Sequence, residues 1–337
     1  MEALLGKTLE ELQEIAISIG LQKFAGKQLA QWLYVQRVCS IDEMTNISLK
    51  GREALKAHYT VGRHAPVREA VSVDGTRKYL FAVGEQFIES VYIPEEDRAT
   101  LCVSTQAGCK MGCKFCMTGT LGFHGQLSAA EILNQIFYFD DLSNLVFMGE
   151  GEPMDNLDNV LRSLEIMTAE YGCAWSPKRI TVSTVGVPAM KRFLDESECH
   201  LAVSMHNAFA AERAQIMPAE KMMSITEVVA LLKHYDWSHQ RRVSFEYICW
   251  HGQNDSIRHA KELLRLLKGL PCRINLIRFH AGVEDIKNER RFPASDEKQM
   301  EWFRDYLTQN GLTTTIRRSR GEDILAACGM LVNSLTR

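Results

Sequence analysis

The sequence predicts an α/β protein: a partial (β/α)6-type barrel, preceded by a small helical domain and a β-hairpin region that links the two. Three observations carry this. From Leu101 onward, short apolar runs alternate with amphipathic helical stretches, the pattern of βαβ units on a parallel sheet. Residues 1–62 have apolar positions at helical period. Between these regions lies an alternating stretch punctuated by turn residues.

Residues 8–18 (TLEELQEIAIS) place Thr8 and Glu11 at capping-box spacing, with Leu9, Leu12, Ile15 and Ala16 following at helical period. AGKQLAQWLYVQ puts Leu29, Trp32 and Leu33 on one face, and LKGREALKAHY supplies a third helix. Asp74-Gly75 then sits between two strand-like runs and reads as a hairpin turn. The polar stretch PEEDRAT is a natural boundary, so the expected domains are 1–62, 63–94 and 95–337. The barrel strands are LCVST, NLVFMG, RITVST, HLAVSM, RVSFEYI, RINLIRF and TTTIRR. Helices such as DNLDNVLRSLEIMTAEY, SITEVVALLKHYDW and SIRHAKELLRLLKG run between them. In such a barrel the chemistry belongs to the loops after the strands' C-terminal ends.

Composition narrows the class. The chain has 337 residues, 46% hydrophobic and 24% charged, with a net charge of −3. No apolar run reaches the ~18 residues of a membrane span, and MEALLGKTLEELQ lacks a basic region followed by an apolar one. A cytoplasmic location is expected, so the ten cysteines should be reduced. The charge gives no global signal for nucleic acid. An RNA partner would have to meet a local patch such as Arg317, Arg318 and Arg320.

Residues 108–123 read GCKMGCKFCMTGTLGF, with Cys109, Cys113 and Cys116 close together directly after the first barrel strand. Structural zinc sites use paired C-x2-C units or one unit with two close histidines, and neither completes this one. Three buried cysteines acting as small hydrophobes fit poorly in a loop with four glycines and two lysines, Lys110 and Lys114. A four-iron cluster fits better. Three thiolates leave one iron with an open coordination position, which can hold a substrate or cofactor.

C-x3-C-x2-C with the aromatic Phe115 before the last cysteine resembles the signature of radical S-adenosylmethionine (SAM) enzymes. That resemblance implies a [4Fe-4S] cluster on Cys109, Cys113 and Cys116, with SAM chelated at the fourth iron and cleaved to a 5′-deoxyadenosyl radical. It also implies cofactor contacts from Gly151 and Glu152 in GEGEP, Ser183 in TVSTVG, and Ser204, Met205 and His206 in VSMHN.

A longer match covers almost the whole chain. KFAGKQLAQWLY, DEMTNIS, DGTRKYLF, VYIPEEDRATLCVSTQAGC, GFHGQLSAAEI and RGEDILAACG resemble the RlmN/Cfr family of RNA adenine methyltransferases. The resemblance implies methylation of adenine carbon 2 in 23S ribosomal RNA, and in tRNA next to the anticodon. Cys328 would carry the methyl group, Cys102 would resolve the protein–RNA crosslink, and Glu89 would accept a proton. Two SAM molecules are used per turnover, and an electron donor of flavodoxin or ferredoxin type is required. The helical domain would engage RNA, and the protein would act as a monomer. Two positions depart from the family pattern. Glu150 stands where methionine is usual, and His280 takes the place of an asparagine that contacts the cofactor. Two other readings stay open: methylation of adenine carbon 8, and an iron–sulfur electron carrier or RNA-binding protein without catalysis.

Overall fold

A computed structural model describes residues 1–238, 242–280 and 292–331. Its spine is one ten-stranded sheet. In chain order the strands are β1 (Arg68–Val71), β2 (Arg77–Val83), β3 (Gln86–Pro94), β4 (Ala99–Cys102) and β5 (Asn144–Phe147). They continue as β6 (Ile180–Thr184), β7 (His200–Ser204), β8 (Val243–Cys249), β9 (Cys272–Arg278) and β10 (Thr314–Arg317). Spatial order follows chain order from β1 to β10.

The seven apolar runs are the seven strands β4 to β10, all paired in parallel. Their buried positions are filled by apolar side chains: Leu145 and Phe147 of β5, Ile180 and Val182 of β6, and Leu201 and Val203 of β7 are all but fully buried. Every residue of β8 is buried. The hairpin region does not stand apart from the barrel. β1 to β3 pair antiparallel, and β3 joins β4 with Val91 opposite Cys102. One sheet therefore carries Glu89, Cys102 and every barrel strand end.

The helical region begins as its caps dictate. Thr8 and Glu11 form the reciprocal capping box on Leu9–Ser18. The helix Ala25–Ala30 runs into a π-helical turn at Gln31–Val35, and Ser48 caps Leu49–His58. Leu12, Leu29, Leu33 and Leu55 belong to the same continuous apolar core as Leu145, Phe147 and Val203 of the barrel. Two further ties fix the region to the barrel. Arg162 donates to both Glu11 oxygens at 2.5 and 2.7 Å, and Arg63 donates to the Phe137 carbonyl at 2.6 Å. Gly6 lies so close to the helix Ala129–Phe137 that a Cβ there would sit 2.6 Å from the Ala130 nitrogen.

Phe147 closes the core under β5 with 1% exposure. Phe147→Ala is expected to cost about 3–5 kcal/mol, the sum of lost transfer energy and a residual cavity. Urea denaturation of both proteins measures it.

Candidate active site

The loop after β4 begins with a short antiparallel pair, Gln106–Gly108 against Phe123–Gln126. This pair closes the loop that carries Cys109, Cys113 and Cys116. Gly108 has φ 72°, and a Cβ there would lie 1.9 Å from the Gly122 carbonyl oxygen, so only glycine permits the closure. Inside the loop, the Cys116 N–H donates to the Cys113 carbonyl at 3.1 Å. The Met111 N–H donates to Cys109 Sγ at 3.5 Å. Phe115 anchors the loop edge-on against His206, ring centroids 4.8 Å apart, and packs on Trp250 at 5.3 Å.

Burial pushes the Cys109 thiol up to about 12, and pushes Cys113 well above its ordinary value, with Cys116 and then Cys109 adding to the shift. Thiols so held keep their protons until a strong positive centre replaces them, as a metal cluster does. Among the described residues no three His, Cys, Asp or Glu side chains converge on a single-ion position. A four-iron cluster instead asks for one thiolate per iron around a cube. The three cysteines of this loop, facing one shared cleft, fit that demand.

The cleft has about 1210 Å³ of empty space, open solvent included, and is lined from the C-terminal ends of the barrel strands. It brings together Cys109, Cys113, Cys116, Cys102, Cys328, Gly151, Glu152, Ser183, Ser204 and His206. Gly151 has φ 97°, and a Cβ would press to 2.5 Å on Gln106 Cβ. Glu152 Oε2 accepts from the Val185 N–H at 2.9 Å, and Oε1 accepts from the Met154 N–H at 3.1 Å. Burial outweighs those bonds and raises its carboxyl to about 7. The Ser183 and Ser204 hydroxyls meet at 3.5 Å. His206 adopts φ 55° and accepts from the Ile248 N–H at Nδ1. Burial, then the Arg213 charge, lowers it to about 3, so its imidazole is neutral.

Three expected site residues do not line the cleft. Met205 is fully buried, and its carbonyl accepts from Arg213 Nε at 3.0 Å. His280 turns to the segment after β10, with Nε2 2.7 Å from Ser319 Oγ and 3.4 Å from Glu322 Oε1. Glu89 is fully buried on β3, paired with Lys78. Glu150 is buried as well. It accepts from the Glu89 N–H at 2.8 Å and the Gly108 N–H at 3.3 Å, and burial raises its carboxyl to about 8.

Two cleft residues were not foreseen. Arg317, expected in a surface patch, turns inward at the end of β10, 3.6 Å from Glu246 Oε2 and 3.5 Å from Met148 Sδ. Its charge is favoured first by Cys328, then by Glu246 and Cys102. Glu246, on β8, also accepts from Asn275 at 2.7 Å. The available signal was position for Arg317 alone, which ends β10; Glu246 is mid-strand in β8 and reaches the cleft because it lies level with Ser204, the last residue of β7. Arg320 likewise faces protein, 4.0 Å from Asp74 and 3.9 Å from Glu95.

A parallel-stranded barrel whose first loop carries three clustered cysteines, beside a glycine-bracketed carboxylate on the next loop, defines a radical SAM enzyme. Residues 103–267 match the radical SAM superfamily, and residues 3–61 match the ribosomal RNA large subunit methyltransferase N-terminal domain. A radical SAM methyltransferase from Sphaerobacter thermophilus superposes with a TM-score of 0.91 at 36% identity, over 98% of this chain and 99% of that one. A relative from Phocaeicola vulgatus named "Probable dual-specificity RNA methyltransferase RlmN" is 60% identical over 98% of this chain and 94% of its own length. One of the same name from Porphyromonas gingivalis is 56% identical, over 98% of this chain and 97% of its own. The chain belongs to the RlmN family of radical SAM RNA methyltransferases.

Two outcomes test the site. Gly108→Ala should leave the fold intact but reduce iron bound after anaerobic reconstitution to less than about half, because a Cβ cannot enter the strand closure. The second concerns pH in the metal-free protein. Glu150 has a raised carboxyl, so the stability it contributes is fully present below the ordinary carboxylate value of 4.5 and lost as pH rises through about 8. Wild type should therefore lose stability relative to Glu150→Gln across that window, as read from urea midpoints.

Proposed function

We propose that the cleft methylates carbon 2 of an adenine in 23S ribosomal RNA, and of the adenine beside the anticodon in tRNA, by way of Cys328. The observation that supports this reading is the presence of five cysteines in one cleft, three on the cluster loop and two from opposite ends of the barrel. A cluster alone needs only three.

The extra pair has a chemical use. Carbon 2 of adenine is electrophilic, so direct methyl transfer from a sulfonium to it is unfavourable. Cys328, which is exposed, can instead attack the methyl carbon of a first SAM. An S–CH3 bond forms, S-adenosylhomocysteine departs, and the thiol proton passes to solvent. Bound at Cys109, Cys113 and Cys116, the cluster and a second SAM supply a 5′-deoxyadenosyl radical that removes one hydrogen from that methyl group. The methylene carbon held by Cys328 then bonds to adenine carbon 2. Glu89 accepts the proton lost from that carbon. The Cys102 thiolate attacks the Cys328 sulfur: the S–S bond forms as the S–CH2 bond breaks, the departing carbon takes a proton to become the methyl group, and the one unpaired electron left on the adduct would pass to the oxidised cluster. Burial first, then Cys328, raises the Cys102 thiol to about 12, with Arg317 opposing the shift. Arg317 is therefore the cation positioned to favour thiolate at Cys102.

Gly151, Glu152, Ser183, Ser204 and His206 would hold the SAM methionyl and adenosyl groups. The target base must leave its stack to enter the cleft, with residues 1–62 gripping the surrounding RNA. In this reading the enzyme is a cytoplasmic monomer reduced by a flavodoxin- or ferredoxin-like donor. No helix among the described residues is long and apolar enough to cross a membrane.

The test is anaerobic incubation of reconstituted protein with SAM, reductant and an RNA fragment, followed by nucleoside digestion and mass spectrometry. Wild type should yield 2-methyladenosine, and Cys328→Ala should lower it by at least about 1,000-fold while keeping its cluster absorbance. An 8-methyladenosine product would transfer the protein to the carbon-8 reaction. Unimpaired methylation by Cys328→Ala would overturn the covalent route.

A further inference from the structure

The segment that presents Cys328 is fastened from two sides. On the hairpin side, the Gly321 N–H donates to Asp74 Oδ2 at 3.0 Å. Asp323 accepts from the Ser72 hydroxyl and, at 3.1 Å, from the Val73 N–H. On the cluster side, the Met117 N–H donates to the Gly329 carbonyl at 2.8 Å, and the Thr118 hydroxyl donates to the Leu331 carbonyl at 2.9 Å. Cys328 is thus held between the turn of the β1–β2 hairpin and the loop of Cys109, Cys113 and Cys116.

One residue connects this clamp to the proposed proton acceptor. Lys78, on β2, is 0% exposed, and so is Glu89. Its Nζ lies 3.0 Å from Glu89 Oε1 and donates to the Leu325 carbonyl at 3.3 Å. Leu325 has a left-handed backbone (φ 53°), a strained conformation for a non-glycine residue that persists where contacts enforce it. A plain counterion role would account for the Glu89 contact. It leaves the second contact, to a strained carbonyl just before Ala326, Ala327 and Cys328, without a purpose.

We propose that Lys78 is a positioning residue for the transfer of the methyl group from Cys328. Its ammonium ties the Glu89 carboxyl to the backbone that leads into Cys328, so the proton acceptor and the methyl carrier keep one fixed geometry. The inference rests on the roles given to Cys328 and Glu89 above. It also gives Glu89 a connection to the chemistry despite its position behind the cleft wall.

The experiment uses the full reconstituted chain with Lys78→Met, Lys78→Arg, Glu89→Gln and Lys78→Met/Glu89→Gln. Two quantities are read: 2-methyladenosine formed under saturating and limiting RNA, and the iodoacetamide alkylation rate of Cys328, mapped by peptide mass. Lys78→Met should lower kcat by about 30-fold or more with KM for RNA within about 2-fold, and Lys78→Arg should recover most of that loss. Cys328 alkylation should change by about 3-fold or more in both variants carrying Lys78→Met, but not in Glu89→Gln. Lys78→Met leaves a lone buried carboxylate and so risks misfolding. The double variant removes that charge and carries the alkylation arm if the single variant does not fold. Unchanged Cys328 reactivity in the double variant, or a folded Lys78→Met with near-wild-type kcat, overturns the inference. Absence of methyladenosine from wild type would overturn the functional reading instead, while the alkylation arm still decides whether Lys78 holds the segment.

Discussion

The structure brings Cys102, at the end of the first parallel strand, and Cys328, beyond the last one, to the same cleft, and the rest of the architecture is arranged around that approach. A parallel sheet puts all its strand C-termini at one edge, so β4 and β10 deliver their ends to the same rim. The rim alone does not close the distance. Arg317 at the end of β10 reaches back to Met148 after β5, and the segment after it folds over onto the hairpin and the cluster loop. The hairpin therefore has a mechanical purpose. By extending the sheet past β4, it offers Ser72, Asp74 and Lys78 as fixing points on the side where the C-terminal segment must land.

The cost of this arrangement is electrostatic. Cys102, Cys109, Cys113, Cys116, Glu150 and Glu152 are all shifted toward their neutral forms by burial. Only a few cations sit among them. Lys78 answers Glu89, Arg317 answers Glu246 and the cysteine pair, and Arg213 is committed to Glu220 and to the carbonyls of Val185, Ser204 and Met205. A region so short of positive charge is prepared for a cationic guest. A metal cluster and a sulfonium both meet that description, and each would stabilise the ionised ligands that burial disfavours.

The parts legible in the sequence were those with a short-range pattern. Seven short runs with apolar residues at their buried positions form seven parallel strands, because those side chains fill the core between sheet and helices. The cysteine run was legible in its spacing and GEGEP in its resemblance to a family motif; Gly108 and Gly151 show that these turns also need glycine. Thr8 and Glu11 announced their capping box. Contacts made across the sheet were illegible. Arg317 in TIRRSRGED reads as a basic surface patch, yet its neighbours Glu246 and Met148 come from distant strands. Lys78 in DGTRKYLF follows a turn, and nothing in that stretch shows the Glu89 carboxylate and Leu325 carbonyl it meets. His280, which takes the place of a cofactor-contacting asparagine in the family pattern, has neighbours no sequence pattern shows, Ser319 Oγ at 2.7 Å and Glu322 Oε1 at 3.4 Å.

Glu150 shows how a departure from a family pattern acquires meaning only in three dimensions. A carboxyl where methionine is usual would seem to add charge to the cofactor loop. In the fold it points away from the cleft, with one oxygen on the Glu89 N–H and the other on the Gly108 N–H. Its own N–H donates to the Ser104 hydroxyl, which in turn donates to the Glu89 carbonyl. A thioether could fill that space but could not accept two backbone N–H groups in this way. Glu150 therefore stitches the strand of the proposed proton acceptor to the residue before Cys109, as Lys78 stitches it to the segment before Cys328. Glu89 becomes the shared fixed point between the cluster loop and the segment that leads into Cys328.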